Sequence, residues 1–98
     1  MAGLKTAVLL IAYRRPDLTQ RVLDRLEQVA PDRLYVALDG PASMEVTADC
    51  RAVKKLIEQF RLPHGVVNLD VAPHNLGCAE RVRTALDWVF QHEDQALI

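Results

Sequence analysis

The stretch that decides the fold is VLLIAYRRPDL, residues 8–18. It belongs to the run Lys5–Tyr13 (KTAVLLIAY), which is nearly continuous in apolar residues and has the length of one β-strand. A continuous apolar run is typical of a strand that is covered on both faces, as in a parallel sheet. Pro16 follows, and proline is favoured in the first turn of a helix. The stretch therefore predicts a buried strand that ends at Tyr13 and leads directly into a helix.

The same alternation of strand and helix continues along the chain. The later predicted elements are, in order, a helix from Pro16, a strand Arg33–Leu38, a helix over Cys50–Phe60 capped by Thr47, a strand Gly65–Val71, a helix from Ala79 that ends near His92, and a strand that begins at Gln95. The order β-α-β-α-β-α-β predicts a Rossmann-like α/β fold. Right-handed crossovers would give a parallel sheet with helices on both faces.

Length, composition and motifs exclude several classes of protein. The chain has 98 residues, of which 50% are hydrophobic and 26% charged, as in one small soluble domain. A net charge of −1 gives no indication of a nucleic-acid partner or a membrane surface. The longest apolar run, Ala7–Ala12, is too short for a membrane segment, and no signal-peptide cleavage site follows it. Neither GxGxxG nor GxxxxGK[ST] occurs. Cys50 and Cys78 fit no metal spacing, and we expect reduced thiols in a cytoplasmic protein.

Polar residues follow each predicted strand at its carboxyl end. The first strand ends in Tyr13 with two arginines, the second in Asp39, and the third in a loop that contains Asn75 and Gly77. In a parallel sheet these ends meet at one edge, where ligands bind. An aromatic ring can stack on a base, and a carboxylate can accept a hydrogen bond from a base or a ribose. Arginine pairs with phosphate, so the combination suits a nucleotide.

Each of these residues also has a structural interpretation. Asp39 begins an Asp-Gly-Pro turn and is explained by the turn alone. The Tyr13 ring fits equally well against the first helix. Asn75 is a potential helix cap, and Gly77 can supply a backbone conformation closed to other residues. The sequence leaves both sets of interpretations open.

Two arginines lie in the first turns of the third helix, Arg81 and Arg83. The helix dipole disfavours cations at this end, which favours an anionic partner. The alternative is that Glu80 and Asp87, at helical spacings, pair with Arg83.

Three segments resemble, in this order, the N-terminal half of a GT-A fold glycosyltransferase of the family 2-like kind. They are VLLIAYRRPDLTQRVLDRL (8–26), RLYVALDGP (33–41) and NLGCAERVRTALDWVFQHEDQALI (75–98). In these enzymes this half binds the nucleotide of a nucleotide-diphospho-sugar donor. The resemblance implies that residues around Ala12, Tyr13 and Arg15 hold the base and ribose and that Asp39 contacts the base. It also implies that Asn75 and Gly77 shape the adjoining loop. An arginine of the third helix would approach the diphosphate, with Arg81 preferred to Arg83.

The resemblance also implies a divalent metal, Mg²⁺ or Mn²⁺, in the longer enzyme. There an Asp-x-Asp-like motif just after the fourth strand holds the metal, which assists departure of the leaving group. Residues up to Ile98 contain no such motif, so we expect a partial nucleotide-sugar-binding domain, truncated before the metal ligands and inactive alone. The alternative is a noncatalytic flavodoxin-like binding or regulatory module. A third possibility is that such a fragment folds poorly alone, because a missing half of the sheet would leave an exposed edge through which chains self-associate.

Overall fold

The computed structural model describes residues 4–98 and shows an α/β fold with one fully parallel sheet. Its elements are β1 (Ala7–Ala12), α1 (Pro16–Val29), β2 (Arg33–Leu38), a short 3₁₀ helix (Met44–Val46), α2 (Thr47–Gln59), β3 (Val66–Val71), α3 (Cys78–Phe90) and β4 (Ala96–Leu97). The strands lie in the order β3-β2-β1-β4. The predicted α/β class and parallel sheet are confirmed. Among residues 4–98, no helix combines the length and the apolarity that crossing a bilayer requires.

The register of the sheet brings three strand ends to one edge. Ala12, the last residue of β1, pairs with Leu38, the last residue of β2. Leu38 in turn pairs with Val71, the last residue of β3. The loops that follow these strands therefore start side by side. β4 pairs with β1 only through Ala96 and Leu97, at the opposite end of β1.

Helices cover both faces of the sheet. Alternate residues of a strand point to opposite faces, so a strand buried on both faces is apolar throughout. α1 and α2 pack on one face, where the buried cluster is Ala12, Leu23, Leu34, Val36, Leu38, Val53, Ile57 and Leu62. α3 packs on the other, where the buried cluster is Ala7, Leu9, Tyr35, Ala37, Ala85 and Val89. This two-sided burial explains the continuous apolar runs of β1 and β2.

Two predicted helix boundaries, the start of α2 and the end of α3, differ from the structure by more than one residue. Thr47 is not a cap but the first residue of α2, and its hydroxyl donates to the carbonyl of Ser43 at 3.3 Å. The 3₁₀ helix leads straight into α2, and the N-cap position is occupied by Val46, whose apolar side chain makes no capping hydrogen bond. α3 ends at Phe90, before the predicted end near His92. The backbone amide of His92 donates to the Val89 carbonyl in a closing turn.

β3 forms one edge of the sheet. Val66, Leu69 and Val71 are exposed along it. An exposed apolar edge strand can pair with another chain. Self-association through this edge stays a prediction.

The two cysteines are free thiols, as the sequence predicts. Cys50, on α2, is half-buried, and Cys78, at the start of α3, is exposed. Burial and then the neighbouring charge of Asp49 raise the pKa of the Cys50 thiol. Burial and the raised pKa both lower the reactivity of the Cys50 thiol at neutral pH.

A carboxylate joins the segment after α3 to β2. Glu93 Oε2 accepts hydrogen bonds from Arg33 Nε and from the Tyr35 hydroxyl, each at 2.7 Å. The Glu93 side chain is only 10% exposed. These two bonds, first that of Arg33 and then that of Tyr35, hold the pKa of Glu93 below its ordinary value of 4.5.

Replacing Glu93 with glutamine is expected to lower stability at pH 7 and to have a smaller effect in acid. The folded-state pKa of Glu93 lies below that of the unfolded chain, so its stabilisation is complete above about pH 4.5 and is lost as pH falls through the folded-state value. Urea unfolding of the native protein and of Glu93→Gln, at pH 7 and at pH 3, measures the difference in their free energies of unfolding at each pH. Glu58→Gln, at an exposed position of α2, is the control. An equal difference at both pH values would show that the Glu93 charge contributes nothing.

Candidate functional site

Tyr13 links the ends of β1 and β2. It is half-buried, and its hydroxyl accepts a hydrogen bond from the backbone N–H of Ala42 at 2.8 Å. Ala42 lies in the loop after β2, so the ring is anchored across the sheet edge. Tyr13 also lines a groove beside α1 together with Leu18 and Thr19, so both interpretations of its ring stay open.

The carboxylate of Asp39 organises the loop before α3. Oδ1 accepts from the backbone N–H groups of Gly40 at 2.9 Å and Leu76 at 2.8 Å. Oδ2 accepts from the N–H of Gly77 at 3.1 Å and from Asn75 Nδ2 at 3.3 Å. A carboxylate has about four acceptor sites, so all are in use. Asp39 therefore does more than begin a turn: it fixes the shape of a second loop.

Two glycines are required where these loops meet. A Cβ added to Gly40 would lie 2.7 Å from the carbonyl carbon of His74 and 2.9 Å from the nitrogen of Asn75. Asn75 Nδ2 also donates to the Gly40 carbonyl at 2.8 Å. Gly77 has φ +85°, a backbone conformation that favours glycine. Gly77 itself precedes α3 and no side chain caps the helix, so the interpretation of Asn75 as a cap is wrong.

Arg81 is buried, and four of its five N–H donors have partners within the protein. Its side chain is 3% exposed, and Nε donates to the Leu38 carbonyl at 3.1 Å. Nη2 donates to the Asp70 carbonyl at 2.8 Å and to Asp70 Oδ2 at 2.9 Å, while Nη1 donates to the Thr84 hydroxyl at 3.1 Å. Arg81 thus ties α3 to the ends of β2 and β3. This explains a cation at a helix N-terminus without an external anion.

Arg83 is explained by its own helix. Its guanidinium donates to the carboxylates of Glu80 and Asp87, one turn before and one turn after it. The structure therefore supports the alternative for Arg83, in which intrahelical pairs replace an anionic partner.

A cavity of about 430 Å³ opens between the ends of β1 and β2 and the start of α3. We call it the tip pocket. Its volume lies in the usual range of small-molecule sites, about 300–1,000 Å³. Apart from Arg15, it is lined by all the residues that the resemblance assigns to the nucleotide: Ala12, Tyr13, Asp39, Asn75, Gly77 and Arg81. Arg15 is exposed and lines a separate groove beside α1.

Sequence reasoning missed four residues of the tip pocket. Ile11, Ala42 and Val82 supply apolar wall, and the exposed Cys78 also lines the pocket. Val82 occupies an apolar position of α3, so no sequence signal distinguishes a pocket-lining role from a role in the core. The pocket combines apolar walls, one aromatic ring and a loop held by hydrogen bonds. Such a site suits a small ligand with a flat, largely apolar part.

The residues described, 4–98, contain no group of three or more His, Cys, Asp or Glu side chains that would hold a metal ion. The resemblance places the ligands of the divalent metal after the fourth strand, so the metal stays a prediction. No protein-family model, no curated protein and no solved structure matches the chain, so its function is inferred from the site.

Proposed function

We propose that the chain binds the nucleotide part of a nucleotide-diphospho-sugar. It would form the donor-binding part of a GT-A, family 2-like glycosyltransferase with a Rossmann-like β-α-β-α-β-α-β core. One observation carries the proposal: segments far apart in sequence, around Tyr13, Asp39 and Asn75, line one pocket of suitable size at the strand ends. Ligands of open parallel sheets bind at this edge.

The Tyr13 ring provides the surface for the base. Its hydroxyl bond to the loop after β2 fixes the ring, and Ile11 and Val82 add apolar wall. Stacking on an aromatic side chain contributes about 1–3 kcal/mol per base. A rigid, half-buried ring loses little conformational freedom when a ligand stacks on it.

Asp39 supports the site chiefly by holding the loop from Asn75 to Gly77. Its four acceptor sites already have donors, of which Asn75 Nδ2, at 3.3 Å, is the most distant. A donor on the base would replace that bond first and leave the three backbone bonds in place. The contact with the base that the resemblance implies therefore needs only a small rearrangement of the Asn75 side chain.

Binding of nucleoside diphosphates to two Tyr13 variants tests the proposal. Calorimetric titration with UDP, GDP and ADP is expected to show binding of at least one of them. Tyr13→Ala should weaken binding by about tenfold or more because the stacking surface is lost, whereas Tyr13→Phe keeps the ring, loses only its anchoring bond to Ala42, and should bind more tightly than Tyr13→Ala. Phe90→Ala removes an exposed aromatic ring of α3 outside the tip pocket and is the control.

Unchanged affinity of Tyr13→Ala would remove the ring from the binding site. If none of the three nucleotides binds the native chain, the proposal is wrong and a noncatalytic flavodoxin-like module is the better description.

A further inference from the structure

The outer edge of β3 is a full-length strand edge at one side of the sheet. Among residues 4–98, β3 is the last strand in the order β3-β2-β1-β4 and pairs with β2 alone. Its sequence, VVNLDV, contains none of the prolines or lysines by which native edge strands discourage pairing. β4 lies at the opposite side of the sheet, so a strand added beside β4 would leave this edge open.

The hydrogen bonds to β2 determine which residues of β3 direct their backbone groups outward. The N–H groups of Val66 and of Ala72, the residue after the strand, donate to carbonyls on the β2 side, each at 2.9 Å. In a parallel pair, every second residue of a strand bonds to the neighbouring strand. The even-numbered residues therefore face β2, and Val67, Leu69 and Val71 direct their N–H and C=O groups away from the sheet.

The same three residues form an apolar row on the face of the sheet that α2 covers. Val67 packs against the buried cluster on that face, and Leu69 and Val71, at alternate positions, are exposed on it. Val67 and Leu69 also line a groove of about 360 Å³ between β3 and the end of α2, which we call the edge groove. The two charged residues that line it, Glu58 and Arg61, have opposite signs. The groove therefore suits apolar side chains that a strand beside β3 would bring to it.

The β3 strand of a second copy is complementary to this edge. When two such strands run antiparallel about a two-fold axis, outward-facing residues must lie opposite one another for their backbone groups to bond. The register with Leu69 opposite Leu69 uses all three outward-facing residues of each strand and places Val67 opposite Val71 of the second copy. All side chains on the α2 face are then apolar. On the other face Asn68 lies opposite Asp70 of the second copy, so no like charges lie opposite each other.

We propose that the chain forms a two-fold dimer in which the two β3 strands pair antiparallel with Leu69 opposite Leu69, so that two four-stranded sheets become one continuous sheet. Each of the three pairs of outward-facing residues exchanges both of its backbone hydrogen bonds. Leu69 and Val71 of the second copy cover the edge groove. The dimer is independent of the proposed function, because no residue of β3 lines the tip pocket.

Sedimentation velocity over chain concentrations of about 1 μM to 1 mM, which cover dissociation constants in that range, measures the dimer. The native chain is expected to change from monomer to dimer as its concentration rises. Leu69→Lys places two ammonium groups opposite each other at the two-fold axis and should raise the dissociation constant about tenfold or more. Leu18→Lys is the control: it makes the same change on α1 at a similar exposure, 43% against 37% for Leu69, and should dimerise like the native chain.

Mixing two charged variants tests whether residue 69 faces itself. Leu69→Lys and Leu69→Glu should each be monomeric, because each would bring two like charges together. An equimolar mixture should regain dimers, since opposite charges then meet at the axis. A variant that merely folded poorly would not be rescued in this way. Amide hydrogen exchange of the native chain adds a test without substitution: the N–H groups of Val67, Leu69 and Val71 should be protected more strongly at high concentration than at low.

Three results would overturn the dimer. The first is a native chain that stays monomeric at every concentration. The second is a dimer that Leu69→Lys leaves intact or that Leu18→Lys disrupts, because the contact would then lie on another surface. The third is a mixture of the two Leu69 variants that dimerises no better than each variant alone, which would show that Leu69 does not face itself.

Discussion

Replacing Asp39 with alanine is expected to destabilise the protein by about 3 kcal/mol and to abolish nucleotide binding. The carboxylate accepts from three backbone N–H groups and one side-chain amide. Each donor left without a partner costs roughly 1 kcal/mol or more, and water compensates only in part at a half-buried site. The loop from Asn75 to Gly77 would lose the bonds that shape one wall of the tip pocket. Urea unfolding and nucleotide titration measure the two effects.

Two further variants isolate the role of the Asp39 oxygens. Asp39→Asn keeps the shape but replaces one acceptor oxygen with a donor, so it should also be destabilised. Asp94→Ala removes the same charge from an exposed position and should leave stability nearly unchanged. Native stability of Asp39→Asn would contradict a role for both oxygens in holding the loop.

Replacing Asp70 with alanine is expected to cost about 2 kcal/mol, because a buried guanidinium loses its carboxylate. Breaking a fully buried pair costs about 3–5 kcal/mol, and the smaller value applies because the Asp70 side chain is 47% exposed and partly screened by solvent. Arg81→Met should cost at least as much, since the carbonyls of Leu38 and Asp70 also lose their donor.

A double-mutant cycle tests this pair directly. In the absence of Arg81, the Asp70 carboxylate has no buried partner, so Arg81→Met/Asp70→Ala should be hardly less stable than Arg81→Met alone. The expected coupling energy is about 2 kcal/mol, measured by urea unfolding of all four proteins. Strictly additive single effects would show that the contact contributes nothing to stability.

The sequence predicted those elements whose signals are local. β2 was predicted with its observed bounds, Arg33–Leu38, because an apolar run of strand length is followed by turn residues. α1 begins at Pro16 as expected, since proline suits a first turn and cannot continue a strand ladder. The start of α2 was missed because the 3₁₀ helix before Thr47 has no comparable signal.

The meeting of the site residues could be predicted, but their contacts could not. The carboxyl ends of parallel strands lie at one edge of a sheet, and this rule alone predicted that Tyr13, Asp39 and Gly77 lie close together, as they do in the tip pocket. Three of the four donors to Asp39 lie 36 to 38 residues further along the chain, and no spacing rule links them to it. Arg81 stood out as a cation at a helix start, but its partners depend on how α3 packs on the sheet. Asp70, one of them, was correctly placed inside the third strand and carried no signal of pairing.

The central claim, a nucleotide at the strand ends, is tested most directly by locating a bound nucleoside diphosphate through amide chemical-shift mapping of the native chain. Titration with UDP, GDP and ADP should produce saturable shifts, with at least one of them, at Ala12, Tyr13 and Gly77 of the tip pocket. The exposed residues of β3, such as Val66, should not respond. Absence of saturable shifts with all three nucleotides, or shifts confined to surfaces away from the strand ends, would contradict the account.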